Sequence, residues 1–283
     1  MNVRLISDSA CDMMQQEAKE QDVIVLPMKT IIDGEEYLDG VTITTEEFYE
    51  KLENCKELPT TSQISPVEFE DVLRPIVESG DEAVIITIAG KLSGTAQSAA
   101  IAAAEVGGGV WVVDSGNVTI GQGILLRYAI RLRDQGLTGR EIAEELEQVK
   151  SRICLLARVD TLEYLMRGGR LSKAAAIAGN LLHIKPVLCV EDGEVKVLGK
   201  ARGSRQSDNM LTEFIMKKGG ADFSMPVMLA YSGTDDALLK GYIANSSTLW
   251  EGQLDSLPTT MIGSTISTHA GPGAIAVAFF AKN

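Results

Sequence analysis

Histidine, cysteine and aromatic side chains are all scarce in this sequence. It has two histidines, His183 and His269, and four cysteines, Cys11, Cys55, Cys154 and Cys189. The cysteines are scattered and form no CxxC pair, so a zinc ribbon or a vicinal redox pair is excluded and inert thiols are expected. Phe, Trp and Tyr together make up 5% of the chain, so a cavity in this protein is expected to be lined by aliphatic side chains. No apolar run reaches the roughly 18 to 20 residues that span a bilayer. Acids within the opening MNVRLISDSACD argue against a cleavable leader, and a cytoplasmic protein is the expectation. Positive charge is also short. The formal net charge of −13 excludes a protein built chiefly to grip nucleic-acid backbone. No GxxxxGK[ST] occurs, and Gly121-x-Gly123 lacks the third glycine of a dinucleotide loop, so no nucleotide is expected. Asp8 and Asp12 make no DxD pair, and no metal is expected.

What is present is the profile of a globular protein, with 45% hydrophobic and 23% charged residues. A length of 283 residues allows one large or two ordinary domains. Apolar runs at 3–6, 23–26, 83–89 and 110–113 alternate with helical patterns. Thr44 with Glu47, Ser65 with Glu68, and Thr138 with Glu141 form capping boxes. The stretch 29–37 reads as a hairpin about Asp33-Gly34, residues 59–63 as a polar loop, and 120–135 as a helix stopped at Gly136. Strands alternating with helices predict an α/β domain with a mainly parallel sheet over residues 1–152. From 153 the grammar changes. A strand at 153–159 leads to a short helix at 161–166 capped by Asp160. A helix at 174–182 and a hairpin at 186–198 turning on Asp192-Gly193 follow. Further helices near 207–217 and 235–244, a strand at 227–231, a glycine-rich loop at 268–273 and an apolar run at 274–280 complete the pattern. Residues 153–283 are therefore expected to form an α+β domain with a mixed or antiparallel sheet, packed tightly on the first.

Ligands of open α/β sheets gather at the C-terminal ends of the strands. Those ends here carry small hydroxyl residues, and Leu92-Ser93-Gly94-Thr95 lies where a strand turns into a helix. Such a turn offers N–H groups and a positive dipole end to an anion. Ser93 is either a helix cap or a donor to a bound ligand. His269, in the glycine-rich loop, is either structural or a donor to a carboxylate, whereas His183 reads as structural. Ser93, Asp114 and His269 occur in the chain order of one hydrolase triad, though no GxSxG surrounds the serine. Arg167, Arg170, Lys200, Arg202 and Arg205 form a basic subset in an acidic chain.

Asp8-Ser9-x-x-Asp12, Thr61-Ser62-Gln63, Leu92-Ser93-Gly94-Thr95, Arg167-Gly168-Gly169-Arg170, Lys185-Pro186 and His269-Ala270-Gly271-Pro272-Gly273 follow one another in the order found in the DegV-like bacterial fatty-acid-binding proteins. The chain resembles that family over essentially its whole length. The resemblance implies a non-enzymatic carrier with no cofactor, holding one long-chain fatty acid in an aliphatic tunnel between two domains. Thr61, Ser62, Ser93 and His269 would hold the carboxylate, with Gly94 and Thr95 shaping the turn. The family's partner is a separate ATP-dependent fatty acid kinase that forms the acyl phosphate for phospholipid synthesis, and Arg170 and Arg202 would face it. Neutral hydroxyls and N–H groups, with no cation beside them, would suffice for the carboxylate. The sequence departs from many members at Ala89-Gly90-Lys91, where Lys91 would bring a cation near the mouth, and at Ile64-Ser65. A serine hydrolase using Ser93 and His269, and a carrier or sensor of another amphipathic acid, remain the alternatives.

Overall fold

The computed structural model describes residues 2–171, 184–250 and 252–282. The helix expected at 174–182 and His183 lie outside the described residues. The first half runs β1 (Val3–Asp8), α1 (Gln15–Glu20), β2 (Val23–Leu26), β3 (Lys29–Ile32), β4 (Glu35–Leu38), α2 (Thr45–Asn54), β5 (Thr60–Ser62), α3 (Pro66–Glu78), β6 (Glu82–Thr87), α4 (Thr95–Val106), β7 (Val110–Asp114), α5 (Ile120–Asp134) and α6 (Gly139–Val149). All three capping boxes form: in each the hydroxyl accepts the glutamate's backbone N–H and the glutamate carboxylate accepts the N-cap backbone N–H. Four strands make a parallel sheet in the order β2-β1-β6-β7. β6 is buried from Ala83 through Thr87, which accounts for its unbroken apolar run, since both faces of such a sheet are covered. The expected hairpin about Asp33-Gly34 is present, both residues having positive φ as a tight two-residue turn requires. The expected polar loop at 59–63 is instead the edge strand β5, paired with β3 so that Thr61 faces Thr30. Three residues of hydroxyl character carry no period-two pattern by which a strand could be read.

The second half runs β8 (Ile153–Arg158), α7 (Glu163–Arg167), β9 (Ile184–Glu191), β10 (Glu194–Arg202), α8 (Gly203–Lys217), β11 (Met228–Tyr231), α9 (Ala237–Asn245), β12 (Thr259–Met261), α10 (Ser264–Ala270) and β13 (Ile275–Phe280). It builds a six-stranded mixed sheet, β10-β9-β8-β13-β11-β12, antiparallel except for β11 with β12. The fold is thus mixed α/β. Asp160 does not cap α7. Its carboxylate lies 2.5 Å from Lys185 Nζ, and the Thr161 hydroxyl accepts the Glu163 N–H instead. No helix among the described residues is long and apolar enough to cross a membrane.

α5 packs on β1 and β6 with one side and on β8, β11 and β13 with the other. Residues Ile120 through Leu126 are all buried, each large aliphatic contributing roughly 1.5–3 kcal/mol when fully removed from water. Gly123 is where the helix meets the loop after β1. A Cβ there would stand 2.5 Å from the Cys11 carbonyl oxygen.

The two halves also meet through buried carboxylates. Asp12 accepts the Thr119 hydroxyl and, at 2.8 Å, the Gly263 N–H. Asp39 accepts from Ser9 Oγ at 2.9 Å, and from Ser264 N and Oγ at 2.9 and 2.8 Å. Burial pushes the Asp12 carboxyl up to about 7 against these hydrogen bonds, and the nearby charge of Asp39 adds to the rise. The unfolded chain ionises it near the ordinary 3.8. Between those values the folded state binds the extra proton, so this group makes stability fall as pH rises, by at most roughly 1.4 kcal/mol per pH unit. Melting curves of wild type and Asp12→Asn from pH 5 to pH 8 test this. The variant is expected to gain on wild type as pH rises, and parallel curves would contradict the assignment.

Candidate functional site

A cavity of about 400 Å³ lies among the residues that precede α5, the helix α10 and the inner face of the six-stranded sheet. Leu155, Ala157, Val159 and Leu188 form the sheet side, and Val118, Ile262 and Ile266 stand among the facing residues. Ala157 and Ala276 lie opposite each other on β8 and β13, and both line the cavity. Their small side chains leave space where larger ones would close it. No Phe, Tyr or Trp among the described residues lines it.

One part of the lining is polar. Thr61, Ser62, Ser93, Gly94, Arg170 and His269 all belong to it, so the structure brings together residues from four separate motifs. Thr95 does not line it. It is fully buried, with Oγ1 2.9 Å from Ser93 Oγ and its N–H donating to the same hydroxyl at 3.3 Å. Gly94 is the N-cap of α4, and a Cβ there would be 1.9 Å from the Gln63 amide oxygen. The Gln63 amide nitrogen in turn donates to Ser98 Oγ at 3.0 Å. Strand β5 is therefore clamped onto the turn, beside the first-turn N–H groups of α4 that have no intrahelical acceptor.

His269 was expected in a loop but sits in the last turn of α10. Its Nε2 is 2.9 Å from Thr61 Oγ1. Its Nδ1 is buried with no hydrogen-bond partner among the described residues and abuts Gly168, where a Cβ would come within 2.2 Å of that nitrogen. A bare lone pair is less costly there than a buried, unpaired N–H. This assigns the proton to Nε2, which donates to Thr61 and leaves the threonine O–H to donate elsewhere. Burial, with the charge of Arg170 adding, holds the imidazole down to about 4, so it is neutral at physiological pH.

Arg170 corrects the expectation of a site without cations. It is half-buried in the lining, its Nε donating to the Leu92 carbonyl at 3.1 Å and its Nη1 to that of Gly168 at 2.6 Å. Arg202 lies exposed at the end of β10, away from the cavity lining. Lys91 does not line the cavity either. Its Nζ is 3.4 Å from Glu194 at the tip of the β9–β10 hairpin. The triad is not assembled, because Asp114 accepts the N–H groups of Gly90 and Gly116 while His269 Nδ1 meets no acid among the described residues. Among the described residues no group of three or more His, Cys, Asp and Glu is placed to hold a metal.

Three contributors were given no role of their own in the reading of the sequence. Thr119 lines the cavity and is a β-branched residue with φ 50°, a costly geometry that clusters at functional sites. Gly168 and Gly271 make room for side chains, His269 at one and the Tyr164 ring at the other. The only sequence signal for these was the glycine spacing of the two motifs.

Fold and cavity together define a mixed α/β protein with a largely aliphatic cavity whose polar lining combines hydroxyls, a neutral imidazole and one guanidinium. The model of the DegV family matches residues 2–282, and the chain belongs to that family. A DegV domain-containing protein of Caldanaerobacter subterraneus is 37% identical over 282 residues, covering 99% of each chain. A fatty-acid-binding DegV family protein of Thermus thermophilus superposes with a TM-score of 0.87 at 32% identity, covering 100% of both chains. A stearic-acid-binding protein of Eubacterium ventriosum gives 0.86 at 29% identity, covering 98% of this chain and 97% of the other.

Gly168→Ala must displace the His269 ring, an overpacking expected to cost about 1–3 kcal/mol. Denaturant unfolding reads it as a lower midpoint, and an unchanged midpoint would show that the ring is not confined there. In the ligand-free wild type, an NMR titration is expected to find His269 still neutral at pH 6. A midpoint near the ordinary 6.5 would refute its burial.

Proposed function

We propose that this protein carries one long-chain fatty acid, with the carboxylate at Thr61, Ser62, Ser93 and His269 and the acyl chain in a buried aliphatic tunnel formed by the cavity. The observation that carries the reading is one cavity combining aliphatic walls with a cluster of hydroxyl and N–H donors. Each CH₂ removed from water contributes roughly 0.8 kcal/mol, so a long chain gives tight binding without a strong head-group contact. At the head, Thr61 receives the proton of Nε2 and so has its own O–H to give, while Ser93 adds a hydroxyl beside the α4 amides. Such a set suits an acceptor-only group such as a carboxylate. The fatty-acid-binding relatives of Thermus thermophilus and Eubacterium ventriosum support the same ligand class.

In this reading the protein is a non-enzymatic cytoplasmic carrier that presents the carboxylate to a separate ATP-dependent kinase, and the acyl phosphate goes on to phospholipid synthesis. Thr61, Ser62 and Ser93 are only half-buried, which suits a head group offered to a partner. Arg170 and Arg202 are the proposed contacts, Arg202 directly and Arg170 through the Leu92 turn that it holds. A division into domains 1–152 and 153–283, with the ligand between them, belongs to the same proposal. Its support is that the parallel sheet ends at Asp114 and the six-stranded sheet begins at Ile153.

Native mass spectrometry of the purified protein, followed by lipid extraction, tests the reading. One equivalent of a long-chain fatty acid is expected on wild type and is expected to be lost from Ser93→Ala/His269→Ala. A protein that is empty and takes up neither oleate nor palmitate would overturn it.

A further inference from the structure

The helix that carries His269 has no cap of its own. Its N-cap is Gly263, which offers no side chain, and acceptors distant in sequence take its first N–H groups. Gly263 N donates to Asp12, and Ser264 donates twice to Asp39 Oδ1 while the other oxygen of Asp39 takes the Ser9 hydroxyl. A Cβ at 263 would stand 3.1 Å from Asp39 Oδ1 and 3.2 Å from Asp12 Oδ1, so the helix start is seated directly on the two carboxylates. Midway along α10, Tyr49 Oη and Ser267 Oγ are 2.6 Å apart. At its far end His269 meets Thr61.

The anchor and the target share one support. Asp39 follows β4 directly, and its N–H donates to Met28, the residue before β3, at 2.9 Å. Thr61 lies on β5, the other neighbour of β3. The three-stranded sheet therefore holds both ends of α10, and Thr30 on its central strand touches Ser264 Oγ at 3.1 Å. With a rise of about 1.5 Å per residue, the helix bridges roughly 7–8 Å from Ser264 to His269. Asp39 is 5% exposed and, when ionised, only accepts, which suits three donors converging on it.

We propose that Asp39 is a positioning residue for His269: by seating the first turn of α10 it sets the imidazole against Thr61, and through that pair it sets the affinity of the cavity for a carboxylate. The affinity part of the proposal rests on the fatty-acid reading above.

The test uses the full chain as wild type, Asp39→Ala, Asp39→Asn and Ser264→Ala. Oleate is the probe, and the second readout is the imidazole ¹⁵N–¹H correlation of His269, assigned by its loss in His269→Gln. Asp39→Ala is expected to weaken oleate binding about tenfold or more, as loss of hydrogen bonds to a charged acceptor implies, and to move the His269 resonances. Asp39→Asn, whose amide oxygen still accepts from Ser264, is expected to restore most of both. Ser264→Ala removes one donor and is expected to shift both readouts by a smaller factor. It decides the matter if Asp39→Ala does not fold. Unmoved imidazole resonances overturn the proposal, whether or not affinity falls, and so do moved resonances with unchanged affinity. A wild type that takes up no oleate overturns the fatty-acid reading instead, and the resonances alone then judge the positioning.

Discussion

A single helix shared by two sheets is the constraint on which the rest of this molecule depends. A helix lying between sheets must be apolar on nearly every side, and α5 meets that condition with its run of buried residues from Ile120 to Leu126. It keeps the parallel and six-stranded sheets about one helix diameter, roughly 10 Å, apart. Where α5 begins, its spacing role ends, and the residues just before it, Val118 and Thr119, pass into the wall of the cavity. The chamber is the part of the intersheet gap that no helix fills.

Polar groups at this seam are arranged so that none of them fills the gap. Asp12 and Asp39 turn toward the start of α10, and Arg170 spends its donors on the Leu92 and Gly168 carbonyls. His269 is kept neutral by its burial and by the neighbouring guanidinium. Buried polar groups that satisfy one another are rigid, and a partly satisfied set is costly. The imidazole nitrogen that has no partner among the described residues lies against a glycine, where its lone pair needs only space.

Much of this was legible in the residues, for identifiable reasons. Capping boxes are local, and Thr44, Ser65 and Thr138 each announced a helix start that formed as read. The Asp33-Gly34 and Asp192-Gly193 turns were equally local, both needing positive φ. The residues of the polar site and their meeting in one cavity were legible only through motif order and the resemblance it carries, and no local pattern gives the contacts that bring them together. Nothing near Thr61 says that it pairs with Thr30, and nothing near His269 says that its helix starts on Asp39. Thr30 lies 31 residues from Thr61, and the contacts that build the site reach more than 200 residues, as in Thr61 with His269 and Asp39 with Ser264. Arg170 shows the same limit. Its charge marked it for a partner surface, while its two carbonyl acceptors are set only by the folded turn.

Strand β13 divides its side chains between two environments. Of its even-numbered members, Ala276 borders the cavity, as does Ala274 just before the strand, while Ala278 and Phe280 pack into the main core. Its odd-numbered members Ile275, Val277 and Phe279 belong to the separate core beneath α8 and α9. Because alternate side chains of a strand take opposite faces, a change of size at 274 or 276 alters the cavity, while changes at 278, 280 and the odd positions are felt as packing. Two positions on one strand can thus resize the cavity while the strand's other face keeps its core intact.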